Sequence, residues 1–202
     1  AAVLVLIPML LIAKQPDLGT ALLVGSAGFF VIYFAGIAWK WLITFFISLS
    51  AAAPLLFFFG MEDYQRQRVL TLLDPGSDKL GSGYQITQST IAIGSGGVYG
   101  KGWLNGDQSR LDFLPERHTD FIFAIFGEEF GLLGNLILLG IYLFIIWRGL
   151  YLATCGSDTF SRLLGGSLSL TFFVYLLVNT GMVSGLLPVV GVPLPLISYG
   201  GT

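Results

Sequence analysis

The chain has 202 residues, of which 54% are hydrophobic and only 11% are charged. A soluble domain carries about 25% charged residues, so this composition excludes an ordinary soluble globular protein. The net charge of −2 excludes the basic footprint of a nucleic-acid-binding protein, and the single cysteine, Cys155, excludes an internal disulfide. The sequence therefore predicts an all-α polytopic integral membrane protein, and its first residue, Ala1, suggests a fragment of a longer chain.

Uncharged stretches predict the membrane-spanning segments, because a spanning helix needs about 20 mostly apolar residues. We expect a single membrane domain over residues 1–202, and its predicted spans are residues 1–13, 18–39, 41–61, 120–147 and 163–183. The uncharged stretch that starts at Leu163 is too long for one helix, and prolines and glycines interrupt it. We therefore expect a bent re-entrant or loop segment at residues 184–202.

The charged residues near the ends of these spans predict the orientation in the membrane. Lys40, Arg148 and Arg162 belong to one face, whereas only Lys14 marks a short loop on the other. Short cytoplasmic loops carry an excess of lysine and arginine, so the first face is expected to be cytoplasmic. The one extended polar region, residues 62–118, is then a large outer loop.

A glycine-rich run occupies residues 93–102 in this loop. It lacks the pattern of a nucleotide phosphate loop, because Ser95 stands where a glycine is needed and Gly102 stands where a serine or threonine is needed. Two interpretations stay open, a flexible turn at the membrane surface and a loop that binds a different anion or a substrate. The preceding residues, 84–93, suit a helix that lies on the bilayer surface.

Polar residues gather where the chain re-enters the membrane. Thr119 or Asp120 can cap or open the following helix, and a helix N-terminus stabilises a carboxylate. Asp120 is thus expected to be ionised near the outer boundary, as a general base requires, although it could merely cap the helix. Glu128 and Glu129 follow two turns later, either inside the bilayer or, if the span begins after them, among the headgroups.

Other polar positions are predicted to lie on the same outer face. Residues 15–20 form a hairpin between two spans, and residues 193–201 carry non-helical backbone that a membrane tolerates only against protein or a water-filled cavity. Asn179 lies inside a span and could hydrogen-bond across helices. His118 is the only histidine, and no ligand array surrounds it at the spacing of a metal site, so we expect no zinc.

Four separated motifs resemble the family of shape, elongation, division and sporulation (SEDS) proteins, the polytopic bacterial cell-wall polymerases. The motifs are residues 15–20, 84–102, 113–129 and 193–201. Their order and spacing cover almost the whole chain. The Gly-Lys-Gly-Trp sequence at residues 100–103, together with Arg117, is more similar to the elongation branch of the family than to the division branch.

The resemblance implies a fold of about ten transmembrane helices, of which this chain would carry five to six, with a large extracytoplasmic loop and a bent Pro/Gly segment before the last helix. It implies a peptidoglycan glycosyltransferase in the bacterial cytoplasmic membrane, which polymerises lipid II into glycan strands for cell elongation and rod shape. The implied partners are lipid II, the growing lipid-linked glycan, a class B penicillin-binding protein transpeptidase and other membrane proteins of the elongation complex.

The aspartate that this family requires falls on Asp120, the expected general base. The lipid diphosphate leaving group calls for cationic or amide donors nearby. The candidate substrate-binding residues are Lys101, Arg110, Arg117, Glu116, His118, Glu128, Tyr199, Gly200 and Gly201, and the candidate supporting residues are Gln15, Asp17, Gln88, Asn179, Pro193 and Pro195. The loop cations could instead be solvated and paired with Asp107, Asp112 or Glu116. No cofactor is indicated, although a divalent cation could bridge the diphosphate and the carboxylate.

Two other functions fit the same residues. A transporter of the lipid-linked precursor would also use broken helices and buried carboxylates, and a noncatalytic scaffold of the elongation complex would need neither. The polar residues cluster on the outer face and no inverted repeat is apparent, which favours catalysis over transport.

Overall fold

The computed structural model describes residues 2–15, 17–55, 57, 60–78, 81–110 and 118–199. Of Ser77, Ser109 and Arg110 it describes the backbone alone. Within these ranges the chain is mainly helical and contains no strand. The helices are α1 (Ala2–Ala13), α2 (Leu18–Phe34), α3 (Trp39–Leu55), α4 (Asp63–Leu73), α5 (Ser82–Gly96), α6 (Asp107–Arg110), α7 (Ile122–Thr154) and α8 (Thr159–Val183).

Among the residues that the structure describes, two helices are long and apolar enough to cross a bilayer, α7 with 33 residues and α8 with 25. Helices α1, α2 and α3 are apolar too but shorter, with 12, 17 and 17 residues. A helix rises 1.5 Å per residue, so α8 measures about 37 Å. The all-helical, membrane-type architecture predicted from the sequence is therefore confirmed, whereas the number of spans stays a prediction.

Local sequence explains where the helices end. Helix α2 ends at Phe34, five residues before the predicted end of that span, because Gly36 adopts the left-handed φ of +89° typical of a helix terminus. Helix α8 begins at Thr159 because the Asp158 carboxylate accepts a hydrogen bond from the Ser161 backbone N–H at 3.0 Å. Helix α7 continues past the predicted end of its span at residue 147 and ends at Thr154. Within this extension the Arg148 guanidinium lies 5.2 Å from the ring centre of Tyr151.

The start of α7 corrects one expectation. The first helical residue is Ile122, and Phe121 occupies the N-cap position, so neither Thr119 nor Asp120 caps the helix. Both residues instead give their backbone carbonyls to partners outside α7. Glu128 and Glu129 lie within the helix and both are buried, and whether they lie inside the bilayer or among the headgroups stays a prediction.

The core forms where α7 packs against α8 and α5. Helix α8 also packs against α2, and α2 packs against α1. The largest fully buried side chains include Phe121, Tyr142, Met182 and Leu194. Helix α3 contacts α2 through aromatic rings, as between Phe29 and Phe45, whose centres are 6.4 Å apart.

In the parts that the structure describes, the predicted outer loop at residues 62–118 contains three helices and a 3₁₀ turn at Pro75–Ser77. Helix α5 includes residues 84–93, which were predicted to form a surface helix. It carries a stripe of buried residues, mostly small, at Gly83, Ile86, Ser89, Ala92 and Gly96. Small side chains let α5 approach α7 closely. In its described parts this region is therefore folded onto α7 rather than extended.

Residues 184–199, which we call the bent segment, follow α8 without any further helix. Gly185, Gly191 and Leu196 have φ values of +71°, +73° and +70°. Prolines in this segment remove backbone donors and prevent the helix from continuing. The chain therefore turns back, and the Pro195 carbonyl accepts a hydrogen bond from the hydroxyl of Tyr142 in the middle of α7.

Candidate functional site

The residues that precede α7 are attached to the bent segment by two backbone contacts. The Tyr199 backbone N–H donates to the His118 carbonyl at 2.8 Å. The Ser198 hydroxyl donates to the Thr119 carbonyl at 2.6 Å and accepts from the Leu194 backbone N–H at 2.7 Å. Two regions 79 residues apart in sequence are thus held side by side.

Asn179 on α8 connects these regions a second time. Its Nδ2 donates to the backbone carbonyls of Asp120 and Val192, at 2.8 Å each. The side chain is fully buried, and its Oδ1 has no hydrogen-bond partner among the described residues. Asn179 was expected to bond across helices, and it instead joins two non-helical stretches of backbone.

The Asp120 carboxylate lies over the bent segment at a glycine. A Cβ built on Gly191 would lie 3.4 Å from Asp120 Oδ2, which is ordinary contact distance. Asp120 is only half-buried. The hydroxyl of the buried Tyr142 donates to the Pro195 carbonyl and fixes the far side of the same segment. The structure therefore fixes the backbone of Asp120 while leaving part of the residue accessible.

The motif at residues 15–20 lies against the same segment. A Cβ built on Gly19 would be 2.8 Å from the Val190 carbonyl oxygen and 2.9 Å from Val192 Cγ2. Only a glycine permits this approach of α2 to the bent segment. Asp17 caps α2, because its Oδ1 accepts from the Thr20 N–H at 3.0 Å.

Within the described part of the chain, the other predicted supporting residues have no comparable contact. Gln15 is exposed after α1, Gln88 is half-buried on α5, and Pro193 is half-buried in the bent segment.

A second cluster forms around Glu128, which is fully buried. Its Oε1 accepts from Lys101 Nζ at 2.8 Å, from the Asp107 backbone N–H at 2.9 Å and from the Ser95 hydroxyl at 3.4 Å. Its Oε2 accepts from the Gln108 backbone N–H at 3.1 Å. We call these five residues the Glu128 cluster. The carboxylate that sequence alone placed near substrate is therefore surrounded by donors from the protein itself.

Lys101 binds two carboxylates at once. Its Nζ lies 2.8 Å from Asp107 Oδ2 as well as 2.8 Å from Glu128 Oε1, and its side chain is 28% exposed. The hydrogen bond to Asp107, followed by that to Glu128, raises the pKa of Lys101 above its usual 10.5. Lys101 is thus paired with Asp107, as one of the two interpretations of the loop cations expected. Contact of Lys101 with substrate stays a prediction.

Gly131 interrupts α7 three residues after Glu128, with φ +67° and ψ −163°. The neighbouring helical hydrogen bonds are replaced by bonds to the glycine-rich run. The donors and acceptors are Lys101 N to Glu128 O at 3.0 Å, Gly102 N to Glu129 O at 2.9 Å, Leu132 N to Gly97 O at 2.9 Å, and Leu133 N to Val98 O at 3.1 Å. Residues 97–102 therefore complete the backbone hydrogen bonding of a broken helix.

Gly100 and Gly131 are required by that close approach. A Cβ built on Gly100 would lie 2.1 Å from the Glu129 carbonyl oxygen, and one on Gly131 would lie 2.3 Å from the Gly100 nitrogen. The backbone N–H groups of Lys101 and Gly102 point to carbonyls of α7, and those of Gly97 and Gly100 point to carbonyls of α5. Residues 97–102 therefore dock against α7, and the two interpretations of the run, a turn at the membrane surface and a loop that binds an anion or a substrate, stay predictions.

Several candidate residues lie outside the described part of the chain. These are Glu116, Arg117, Gly200 and Gly201, together with the side chain of Arg110. Among the residues that are described, no group of three or more histidine, cysteine, aspartate or glutamate side chains is placed to hold a metal ion.

Sequence reasoning missed Tyr142 and the interruption at Gly131, and it assigned no role of its own to Ser198, which lies inside the motif at residues 193–201. A single serine in such a run carries no distinctive signal. The glycines at positions 127 and 131 on either side of two glutamates could have suggested an irregular helix, because glycine inside a helical pattern lowers its stability by about 1 kcal/mol.

Known proteins resemble this chain along its whole length. The family model of FtsW, RodA and SpoVE cell cycle proteins matches residues 1–202. The peptidoglycan glycosyltransferase MrdB of Escherichia coli strain K12 is 59% identical over 202 residues, which are 100% of this chain and 55% of that protein. MrdB of Helicobacter pylori is 43% identical over 197 residues, 97% of this chain and 50% of that protein.

More distant relatives agree. A probable peptidoglycan glycosyltransferase FtsW of Geobacter metallireducens is 38% identical over 201 residues, 99% of this chain and 52% of that protein. A solved structure concerned with the coordination of polymerization and crosslinking by a peptidoglycan synthase complex superposes with a TM-score of 0.79 at 36% identity, covering 99% of this chain and 55% of that one. The chain spans about half the length of the curated relatives it matches.

Proposed function

The chain belongs to the FtsW/RodA/SpoVE family of cell cycle proteins, and on that premise we propose that it is part of a peptidoglycan glycosyltransferase that polymerises lipid II into glycan strands. This membership confirms the family predicted from the four motifs. The residues at positions 100–103 and Arg117, which are similar to the elongation branch, favour a role in cell elongation and rod shape. The chain is also more similar to the relative named MrdB, at 59% identity, than to the relative named FtsW, at 38%.

The position of Asp120 carries the proposal. Its backbone is tied to Asn179, the neighbouring Thr119 is tied to Ser198, and its carboxylate lies over Gly191 while remaining partly accessible. A general base must be held within hydrogen-bond reach of the proton that it removes. The contacts between the bent segment and residues 118–120 support such a fixed carboxylate.

In the proposed reaction Asp120 accepts the proton of the acceptor sugar's 4-hydroxyl. The hydroxyl oxygen forms a bond to the anomeric carbon of the lipid-linked donor strand. The bond from that carbon to the diphosphate oxygen breaks, and the lipid diphosphate leaves with the electron pair. Fixing the carboxylate in advance lowers the entropic cost of reaching this geometry.

Stabilisation of the leaving diphosphate is assigned to residues other than Lys101. Lys101 already binds two carboxylates, which reduces its capacity to bind a third anion. We assign this role to Arg110 and Arg117, with the amides of Gly200 and Gly201 as further donors. His118 and Tyr199, whose backbones are hydrogen-bonded together beside Asp120, are assigned to substrate contact.

The proposed location is the bacterial cytoplasmic membrane, with several spans and residues 62–118 on the extracytoplasmic face. The solved relative concerns a complex that couples polymerization to crosslinking. By analogy, the proposed partners are a class B penicillin-binding protein transpeptidase and the membrane proteins of the elongation complex.

The test uses the full-length protein, purified with its transpeptidase partner, and measures two activities. Strand synthesis from purified lipid II is expected for the wild type and is expected to be lost in Asp120→Asn. A lipid II flipping assay in vesicles is expected to show no difference between the two proteins and empty vesicles. Flipping without strand synthesis by the wild type would identify a transporter. Strand synthesis by Asp120→Asn at the wild-type rate would reject the assignment of Asp120.

A further inference from the structure

Leu196 has an unfavourable backbone conformation in the bent segment, next to a carbonyl that α7 holds. Its φ is +70°, in the left-handed region that favours glycine, and the preceding carbonyl, that of Pro195, accepts from the Tyr142 hydroxyl. We propose that Tyr142 is a positioning residue, which maintains the turn at residues 194–198 in this conformation and thereby holds the backbone before Asp120. The inference rests on the proposed function, because it assigns Tyr142 to the placement of the proposed general base.

The conformation of Leu196 is the first observation behind this inference. A left-handed φ brings the Cβ of an L-residue too close to the following carbonyl oxygen, and the side chain is 69% exposed, so packing does little to offset this cost. Gly185 and Gly191 adopt similar φ values in the bent segment without a Cβ. A strained residue persists only where the surrounding structure over-determines its conformation. The contacts beside Leu196 therefore have to maintain the turn.

Tyr142 is placed to supply that constraint. It is 2% exposed, and its ring centre lies 5.6 Å from that of Phe172 on α8. A buried tyrosine combines a large apolar ring with a hydroxyl that needs a partner. The Pro195 carbonyl belongs to the same planar peptide unit as the Leu196 nitrogen. The bond from Tyr142 therefore fixes the plane about which the φ of Leu196 is set.

Ser198 closes the turn on its other side. Its backbone N–H donates to the Leu194 carbonyl at 2.9 Å, and its hydroxyl accepts from the Leu194 backbone N–H at 2.7 Å. Residues 194–198 thus form a compact turn, with the carbonyl held by Tyr142 at its centre. Any change in the turn moves the Ser198 hydroxyl.

The Ser198 hydroxyl carries the constraint to the candidate base. It also donates to the Thr119 carbonyl at 2.6 Å, and Asp120 is the next residue. Asn179 separately holds the Asp120 carbonyl at 2.8 Å. Loss of the Tyr142 hydroxyl should therefore release one of these two attachments and displace the carboxylate only in part.

A partly displaced general base slows the chemical step. A misplacement of about 1 Å lowers a rate by about 10²-fold, and the retained bond from Asn179 should limit the loss of kcat to about tenfold. The groups assigned to substrate binding are not altered. The KM for lipid II should therefore stay within about threefold of the wild type, the pattern of lost orientation rather than lost binding.

The experiment compares Tyr142→Phe, Leu196→Gly and the double variant in the full-length protein with its transpeptidase partner. Tyr142→Phe keeps the ring and removes only the hydroxyl. Leu196→Gly removes the strain, because glycine adopts a φ of +70° without steric cost. Tyr151→Phe is the matched control, since Tyr151 lies on the same helix and is 51% exposed.

The first readout is backbone hydrogen exchange, which does not depend on activity. The Leu194 and Tyr199 N–H groups donate to the Ser198 hydroxyl and the His118 carbonyl. Their exchange is expected to become about tenfold faster in Tyr142→Phe, because the turn opens more easily. Exchange in α8 should match that of the wild type, and Tyr151→Phe should change neither.

The second readout is the steady-state kinetics of strand synthesis. Tyr142→Phe is expected to lower kcat about tenfold with little change in KM. The double variant should recover both the slow exchange and a kcat within about threefold of the wild type, because glycine is the favoured residue at a positive φ and holds the turn without the tyrosine. A loss of packing in the core would not be restored by a substitution at position 196.

Four results would overturn the proposal. A lower kcat with unchanged exchange at Leu194 and Tyr199 would show that Tyr142 acts otherwise than through the turn. Faster exchange there with an unchanged kcat would show that the turn does not position the base. Exchange that also accelerates in α8 would show a general role in folding. A double variant as impaired as Tyr142→Phe would remove the role of the strained residue.

Failure of the proposed function gives a different result. A wild-type protein that makes no strands from lipid II contradicts the glycosyltransferase assignment, whatever the variants do. The exchange measurement then still decides whether Tyr142 maintains the turn, because unchanged exchange at Leu194 and Tyr199 in Tyr142→Phe would refute that role by itself.

Discussion

Replacement of Asn179 by leucine tests how the candidate site is held together. Asn179 is fully buried and donates to the carbonyls of Asp120 and Val192 at 2.8 Å each. Leucine has a similar size and cannot donate, so Asn179→Leu leaves both carbonyls without this partner. It also removes the unpaired Oδ1 of the asparagine.

The expected magnitude follows from these three groups. A buried polar group left unsatisfied costs about 1–3 kcal/mol, so two carbonyls cost about 2–6 kcal/mol and removal of the unpaired Oδ1 returns about 1–3 kcal/mol. The net loss of folding free energy is thus about 1–3 kcal/mol. Displacement of the Asp120 carboxylate by about 1 Å would lower kcat by about 10²-fold.

The assay combines unfolding in detergent micelles with strand synthesis from lipid II. Asn135→Leu is the matched control, since Asn135 is also a buried asparagine with an unpaired Oδ1, placed on α7 away from Asp120. It should change stability without the drop in kcat. A folded Asn179→Leu protein with kcat within about threefold of the wild type would refute the role assigned to Asn179.

Three further predictions concern the parts of the chain around the site. Gly100→Ala should destabilise the protein, because the φ of Gly100 is +79° and the new Cβ would lie 2.1 Å from a carbonyl oxygen of α7. The control is Gly140→Ala on the open surface of α7, which should stabilise the protein by up to about 1 kcal/mol in thermal unfolding. Because the pKa of Lys101 is raised in the folded protein, its ion pairs stabilise the fold fully below the usual pKa of 10.5, and this stabilisation is lost as the pH rises above that value. Unfolding measured between pH 9 and about 12 should therefore show a loss of stability that Lys101→Met lacks. The bond from the Ser161 N–H lowers the pKa of Asp158, so the cap of α8 is complete above the usual pKa of 3.8 and is lost as the pH falls below it; hydrogen exchange at the start of α8 should accelerate there, and Asp158→Ala should abolish this pH dependence.

Much of the architecture follows from the sequence, because charge is excluded from a bilayer and therefore marks the ends of apolar helices. The grouping of Asp120 with the bent segment was predicted from their shared position at the outer face, and the hydrogen bonds of Ser198 and Tyr199 agree with it. The capping role of Asp120 was wrong because its carbonyl is bound by Asn179, which draws the chain away from α7 until Ile122.

The Glu128 cluster could not be predicted from local patterns. Lys101 and Glu128 are 27 residues apart, and nothing in the spacing of either residue identifies the other as its partner. Helix α7 is apolar around much of its circumference, so its hydrophobic pattern does not reveal which face meets α5 or where Gly131 interrupts it. Only the three-dimensional arrangement shows that the glycine-rich run replaces its missing hydrogen bonds.

Strand synthesis by the Asp120→Asn protein tests the central claim most directly. Asparagine keeps the size of the side chain and cannot accept the proton of the acceptor hydroxyl, so kcat should fall by about 10²–10⁴-fold while unfolding in detergent and binding of lipid II match the wild type. Asp63→Asn is the matched control, because Asp63 lies fully exposed on α4, and it should retain full activity. A folded Asp120→Asn protein that polymerises lipid II at nearly the wild-type rate would contradict the assignment of Asp120 as the general base.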